Sequence, residues 1–418
     1  MRRVVLFITF IICLPSFLNG QEKLRFGNTE QSQFQIAFEI SQNLIILPLT
    51  INDSGLMKFI LDTGIRQTII TEMTGIDTVS LKLAREVTLE GLGDGEDLKA
   101  WYSEANRIIM ENSVNRGWGI VGDNMEVYLI PENLFEFSKQ FGLQINGLIG
   151  SDFFTHFIVE IDYIHKLVTF YKREDFNYKR RTKRHAKIPL IVENSRPYIN
   201  AAMTQEDGSK IDLKLLIDTG ASMSMWVSLF SNSDIKLPKT TFKALLGQGL
   251  SGNISGVNGR IQRLEIGPFH IDKPIVAFPD SAAIAGIQKE IGRNGTLGNE
   301  ILKRFNVIFD YNGGHCYLKP NKNFHKPFNY NRSGLEIEKP FYNIPSYHIY
   351  NVVPGSPADL AGVKKGDQIE MINFIRAINI ELDQINSILY GTEGRSIRLQ
   401  LIRNGERIKT KFLLDNKL

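Results

Sequence analysis

Hydrophobic positions along this chain fall into short alternating or continuous blocks, with few stretches that keep a helical period. NLIILPLTI (Asn43–Ile51) and RPYINAAM (Arg196–Met203) read as strands. FNVIFDY and HCYLKP flank Asn312-Gly313-Gly314, residues that suit a tight hairpin turn with positive φ. Only SDFFTHF and NEILKRF carry the look of short helices before the last ninety residues. The pattern predicts a mainly β chain. At the start, Arg2 and Arg3 precede an apolar run from Val4 to Leu14, with Leu18-Asn19-Gly20 a plausible cleavage point. That run is too short to cross a bilayer and predicts a signal peptide over 1–20.

The blocks repeat. Leu61 to Gly64, closing KFILDTG, match Ile217 to Gly220, closing KLLIDTG, 156 positions later, and Leu89, Gly91 and Gly93 match Leu245, Gly247 and Gly249 at the same offset. NGLIGSDFFTHFIVEIDY (Asn146 to Tyr163) aligns with NGTLGNEILKRFNVIFDY (Asn294 to Tyr311) at an offset of 148. Three matched blocks in one order mean two copies of one unit. Each copy ends a buried-type strand on a carboxylate, Asp62 or Asp218, and follows it with an apolar-Gly step, Leu148-Ile149-Gly150 or Thr296-Leu297-Gly298. Paired acids of this kind can supply the base and the acid that hydrolysis needs.

Charge and composition narrow the field. The 418 residues carry 49 Lys and Arg against 45 Asp and Glu, a formal net charge of +4, which makes no case for nucleic acid. Of two cysteines, Cys13 lies in the leader, so a mature chain keeps only Cys316 and no internal disulfide. The seven histidines show no ligand spacing, and neither a metal nor a cofactor is expected. His315 and Cys316 are adjacent, so on a strand they face opposite ways. GQGLSG (Gly247 to Gly252) fits a dinucleotide fingerprint, but NISGVNGRIQ after it is unsuited to the helix such a site requires.

The twin DTG sequences and apolar-Gly steps resemble the aspartic proteases of the pepsin and retropepsin type over roughly residues 40–320. The resemblance implies two retropepsin-like β-barrel lobes forming a pseudo-dimer, with one site where the lobes meet. It implies an Asp62 and Asp218 dyad that activates a water to cut peptide bonds, supported by Thr63, Gly64, Thr219, Gly220 and Ser222. It further implies flaps over the cleft, for which GLGDG (Gly91, Gly93, Gly95) and GQGLSG (Gly247, Gly249, Gly252) are candidates. The first loop departs from the family pattern with Ile65 and Arg66, and Thr296 stands where an apolar residue is usual. Arg66 could lower the apparent pKa of the dyad, or point outward.

The basic segment YKREDFNYKRRTKRHAK (Tyr171 to Lys187) reads as a solvated connector between lobes, open to nicking during maturation. Beyond Pro320 a polar stretch ends the repeat, and Gly334 to Leu414 resemble a bacterial PDZ domain, most clearly in VVPGSPADLAGVKKGDQI (Val352 to Ile369). Glu381 to Tyr390 has the apolar spacing of a groove-walling helix, and SIRLQLIRNGERIKTKF of a closing hairpin. The resemblance implies a small α+β domain that binds peptide C-termini, with Gly334, Leu335, Glu336 and Ile337 as the carboxylate loop.

The expected layout is a signal peptide (1–20), two protease lobes (21–175 and 176–325) and a PDZ domain (326–418). The expected protein is a monomeric, exported aspartic endopeptidase of polypeptide substrates, periplasmic or else secreted or surface-associated. Two alternatives stay open at this level: a peptide-binding protein that keeps the cleft and has lost catalysis, and a PDZ adaptor on a β scaffold.

Overall fold

The computed structural model describes residues 24–73, 79–82, 84–89, 98–111, 119–130, 136–249, 252–281, 284 and 292–415. The leader 1–20 and the glycines Gly91, Gly93 and Gly95 lie outside the described residues. The fold is mainly β, in two lobes and a smaller α+β unit.

In the first lobe six strands close a ring. Leu44–Ile51 pairs with Met57–Leu61, which runs parallel to Gly147–Ile149. That short strand pairs with Thr68–Ile70, then Gly119–Leu129, and the long strand Leu98–Glu111 returns to Leu44–Ile51. The ring strands carry buried Leu, Ile, Phe and Met on one face or both, as strands enclosed in a barrel must.

The second lobe repeats this order with Arg196–Thr204, Lys210–Ile217, Gly295–Leu297, Met225–Val227, Ile275–Pro279 and Gly252–Arg260. Here the counterpart of the long strand breaks after Arg260 and resumes as Arg263–Ile266 against Arg196–Thr204. The short helices fall where the sequence predicts them, at Asp152–His156 and Asn299–Leu302.

A separate six-stranded sheet joins the lobes, in the order Ala186–Pro189, His315–Pro320, Phe305–Asp310, Ile158–Asp162, Leu167–Tyr171, Gln33–Ala37. Its central pair comes from the two copies of the repeat. Glu160 lies opposite Ile308, its own equivalent at the 148-residue offset, and the pairing is antiparallel. A residue paired with its own copy lies on the local two-fold axis, so this register fixes the symmetry of the two lobes. Val159, Ile161, Val307 and Phe309 of the pair join a core cluster that takes side chains from both lobes.

The basic connector is mostly exposed or half-buried, as expected, yet it is ordered. It holds two helical turns, Arg173–Asp175 and Tyr178–Arg181, and buries Phe176 against Ile158, Ile308 and Tyr317. Arg173 and the Tyr178 hydroxyl both bond Asp310, while Arg181 sits 4.8 Å over the Tyr171 ring. The aromatic residues within the basic run account for the order, because they cap the outer face of the shared sheet.

The C-terminal unit is a sheet ordered Leu335–Glu338, Tyr347–Val352, Gln368–Ile372, Ser396–Arg403, Glu406–Leu413, with helices Pro357–Leu360 and Leu382–Leu389. The closing hairpin turns on Asn404 and Gly405 at φ 52° and 83°, the pair of positive values that a tight hairpin needs. The unit is moored to the first lobe: Asp383 accepts from Ser41 Oγ and Gln42 N–H, and Lys339 donates its N–H to Lys139 O at 2.9 Å.

Candidate active site at the lobe interface

Each acid stands at the end of a strand held from beneath by the apolar-Gly step of its own lobe. The Asp62 N–H donates to Ile149 O and the Asp218 N–H to Leu297 O, both at 2.9 Å. A Cβ on Gly150 would lie 2.0 Å from Arg66 O, and one on Gly298 would lie 2.3 Å from Met223 O, so only glycine lets these segments pass.

The two loops grip each other through their threonines. Thr63 Oγ1 accepts from the Thr219 N–H at 3.0 Å and donates to Ile217 O at 2.7 Å. Thr219 Oγ1 accepts from the Thr63 N–H at 3.1 Å and donates to Leu61 O at 2.8 Å. Each hydroxyl uses one donor and one acceptor across the interface, which only a two-fold arrangement satisfies twice. Within each loop, Gly64 N–H donates to Asp62 Oδ1 at 2.7 Å and Gly220 N–H to Asp218 Oδ1 at 2.8 Å. The other oxygens, Oδ2 of both acids, are buried and take no bond from a donor group among the described residues. The Asp62 carboxyl lies against the facing loop, where a Cβ on Gly220 would stand 2.3 Å from its Cγ.

Both acids have no exposed surface. Burial, then the facing Asp218 charge, raises Asp62 well above the ordinary carboxylate range. Burial also raises Asp218, less far, because the Gly220 N–H, Asp62 itself and the Arg293 charge oppose it. Two like charges in contact cannot both persist in so dry a place, so the pair retains a proton.

Arg293 escapes a sequence reading, being 75 positions from Asp218 and outside any motif. It is buried, lies 5.2 Å from the Trp226 ring and donates to Thr296 Oγ1 at 2.7 Å. That bond explains the polar residue in the second apolar-Gly step: Thr296 anchors a buried cation. Arg66, by contrast, is 41% exposed and turns toward Asp152 at 4.0 Å, so the positive charge acting on Asp218 is Arg293's. Ile65 is core, packed with Ile60, Ile69 and Tyr128. Ser222 contributes its carbonyl, which accepts from Asn43 Nδ2 at 2.8 Å.

The support beneath the site is asymmetric. Tyr163 Oη donates to Asn299 Oδ1 at 2.6 Å, and Asn299 Nδ2 donates to Thr219 O. The equivalents in the other half are Tyr311 and Ser151, whose hydroxyl oxygens are both buried and find no partner among the described residues. Tyr163→Phe should therefore cost about 1–3 kcal/mol by leaving Asn299 Oδ1 unpaired, while Tyr311→Phe should be close to neutral or stabilising. Urea melts of the two variants side by side check this; equal losses would refute the asymmetry.

Of the flap candidates, Gly247, Gly249 and Gly252 lie in the hairpin Thr241–Gly249 and Gly252–Arg260, with Gly249 facing Gly252 beside the turn. In the first lobe, Arg85–Leu89 and Leu98–Glu111 form the matching hairpin. Among the carboxylate-loop candidates, Gly334 has φ 78° and would clash with Ser356 if it carried a Cβ. Leu335, Glu336 and Ile337 lie on the edge strand, and the Leu335 N–H donates to Ser333 Oγ at 3.0 Å. Cys316 is a free buried thiol that burial pushes up to about 12, too high for a nucleophile at neutral pH. Among the described residues no three His, Cys, Asp or Glu side chains are grouped to hold a metal, and no helix is long and apolar enough to cross a membrane.

Comparison with known proteins places families on two stretches. Residues 203–301, which include Asp218 and Gly298, match the aspartyl protease family, and residues 348–403 match the PDZ domain family. A probable 26S proteasome regulatory subunit p27 of Saccharomyces cerevisiae is 28% identical over 134 residues, 32% of this chain. That match spans 58% of the yeast protein's length. Among solved structures, the aspartic proteinase of Irpex lacteus is 10% identical with a TM-score of 0.44, covering 71% of this chain and 99% of its own. Basic 7S globulin from soybean is 10% identical with a TM-score of 0.40, covering 71% and 97%. The chain thus carries a stretch of aspartyl protease type, residues 203–301, within a two-lobed, mainly β region, and a C-terminal stretch of PDZ type, residues 348–403.

Proposed function

We propose that this protein is an exported aspartic endopeptidase in which Asp62 and Asp218 share one proton and activate a water against the peptide bond. The observation that carries the reading is a pair of fully buried acids on two loops clasped by reciprocal threonine bonds, with the Asp62 carboxyl against Gly220 of the facing loop. Asp218, the more readily ionised, takes a proton from water as its oxygen attacks the scissile carbonyl carbon. Asp62, the proton holder, hydrogen-bonds the carbonyl oxygen as charge develops there. Asp62 then gives its proton to that oxygen, forming a gem-diol. On collapse the proton held by Asp218 passes to the leaving nitrogen, the C–N bond breaks and Asp62 regains a proton from a diol hydroxyl, leaving a new carboxyl terminus and a new amine. No cofactor enters these steps. The acids have no exposed surface, so a polypeptide reaches them only when covering chain moves aside.

We further assign 1–20 as the export signal, 21–175 and 176–325 as the two lobes, and 326–418 as the PDZ unit that receives polypeptide ends. The working protein is a monomer, both acids being on one chain, and the periplasm is the compartment proposed. A cleft that binds without cutting is the second reading, favoured by the complete sealing of both acids.

Digesting a peptide library from acid to neutral pH in H₂¹⁸O separates the two. Hydrolysis by activated water puts one ¹⁸O into each new carboxyl terminus, and added amines capture no acyl intermediate. Peptides that bind and stay whole would instead support the second reading. The pH profile gives a sharper test. Its acid limb follows the first ionisation of the pair and its basic limb the second. The Arg293 charge lowers the Asp218 pKa, so Arg293→Gln should move the acid limb to higher pH and leave the basic limb nearly in place. An unmoved acid limb would remove Arg293 from the chemistry.

A further inference from the structure

The edge strand of the PDZ unit opens into a chamber of about 750 Å³ that it shares with the second lobe. On the PDZ side the chamber is walled by Glu336, Ile337 and Glu338 of the edge strand and by Asp383, Asn386 and Tyr390 of or beside the helix Leu382–Leu389. Across from them lie Phe242, Ala244 and Leu246 of the Thr241–Arg260 hairpin, and the Ser222–Met225 stretch that follows the second acid loop. We infer that a basic polypeptide carboxyl terminus bound in this chamber controls the hairpin of the second lobe, making the PDZ groove a regulatory input and not only a tether. The inference rests on the reading that the PDZ unit receives chain ends.

Three features define the occupant. Leu335–Glu338 is the end strand of its sheet, which leaves one row of backbone groups for an added strand. That row ends at Lys339, whose N–H is committed to Lys139 O of the first lobe, so only about four residues pair before the ligand must turn into the chamber. The PDZ wall supplies Glu336, Glu338 and Asp383, the last already accepting from Ser41 and Gln42. Of the cations on the facing wall, Lys303 and Arg304 are paired with Glu300 and Lys326 stands beside them, so the PDZ side favours cationic side chains just before the terminus.

A continuous set of contacts runs from the carboxylate loop to the hairpin. The Leu335 N–H donates to Ser333 Oγ, the Ser333 hydroxyl donates to Asn331 Oδ1, and Asn331 Nδ2 donates to Leu335 O. A carboxylate that takes the Leu335 N–H displaces Ser333 Oγ and loosens this knot. One residue before it, the Tyr330 ring stacks on Phe242 of the hairpin at 5.3 Å. Arg332 covers the other side of the connection, 4.5 Å from the Tyr330 ring, with its N–H on Leu389 O at the end of the groove helix. Arg260, closing the same hairpin, reaches Phe328 O at 3.5 Å. Ligand arrival thus loosens Asn331, the chain neighbour of the Tyr330 ring that stacks on the hairpin base, and that adjacency is the route for coupling.

Hydrogen exchange on the full chain tests this without requiring catalysis. The probes are a hexapeptide with lysines before an apolar residue bearing a free carboxylate, its C-terminal amide, and a version with glutamates for lysines. The free acid should bind and change exchange of backbone amides in 241–260 by about an order of magnitude, and the other two should bind more weakly and change it less. Arg260→Gln, which removes the reach of the hairpin to Phe328 O from outside the chamber lining, should retain peptide binding and weaken the effect on the hairpin, with Arg332→Gln as the second variant. Binding of the free acid with unchanged exchange in 241–260 overturns the coupling alone. A flat binding isotherm for all three peptides overturns the chain-end reading beneath it.

Discussion

Asp218→Asn, and Asp62→Asn likewise, lowers peptide cleavage by about 10³-fold and at the same time raises the thermal stability of the lobes at neutral pH. Opposite signs for activity and stability are the signature of a dyad whose raised pKa values come from burial and mutual repulsion. A carboxyl whose folded pKa exceeds its unfolded value binds its proton more tightly when folded. Its stabilising contribution is complete below the unfolded value near 3.8 and declines as pH rises through the folded value. Wild-type protein thus loses stability between pH about 4 and neutrality through this pair, each unit of upward shift being worth about 1.4 kcal/mol. An asparagine has no charge to bury. Its oxygen can keep the Gly64 or Gly220 N–H bond, and its amide can donate to the remaining acid.

The gain should amount to several degrees in Tm at pH 7 and fade near pH 4, where the wild-type acids are already neutral. Differential scanning calorimetry at the two pH values, beside a quenched-peptide assay, measures both halves. Stability lost at pH 7 in both variants would mean that the carboxyls are not forced together. Cleavage retained in either would end the proposed mechanism, whatever the calorimetry gave.

How far the sequence foretells the site follows from which contacts are local. Asp62, Asp218, their glycines and their threonines lie in two short matched words, and the strand before each is apolar enough to be read alone. The reciprocal threonine bonds need only the inference that two copies are related by symmetry. The shared sheet is different. QFQIA (Gln33–Ala37) alternates as a strand should, yet nothing in it announces Leu167–Tyr171, 130 residues away, as its partner. The pairing of Glu160 with Ile308 uses residues inside a recognised repeat, but a repeat gives equivalence and not contact. Arg293 is less legible still, because a buried cation depends on Trp226 and Thr296 converging on it. Its one trace in the sequence is the threonine where an apolar residue is usual. The basic connector is read correctly as exposed, but its anchoring is not: its charges set the composition, while Phe176 and Tyr178 set where it packs.

Gly220→Ala, the smallest change available at the site, should impair it nearly as much as removing an acid. A Cβ at 220 would stand 2.3 Å from Asp62 Cγ and 2.4 Å from its Oδ2, far inside van der Waals contact. The alanine sits on one lobe and the carboxyl on the other, so relief requires either lobe separation or rotation of the Asp62 side chain. Rotation breaks the Gly64 N–H bond to Oδ1, and separation stretches all four threonine bonds at once. A displacement of about 1 Å at reacting groups costs on the order of 10²-fold in rate, and overpacking a close interface costs about 1–3 kcal/mol in stability. Gly55→Ala is the matched control, since a Cβ there meets nothing within 4 Å. It should leave cleavage and Tm unchanged. Wild-type rate and Tm for Gly220→Ala would mean that the acid of one lobe does not press against the loop of the other, and the shared proton would then have no physical basis.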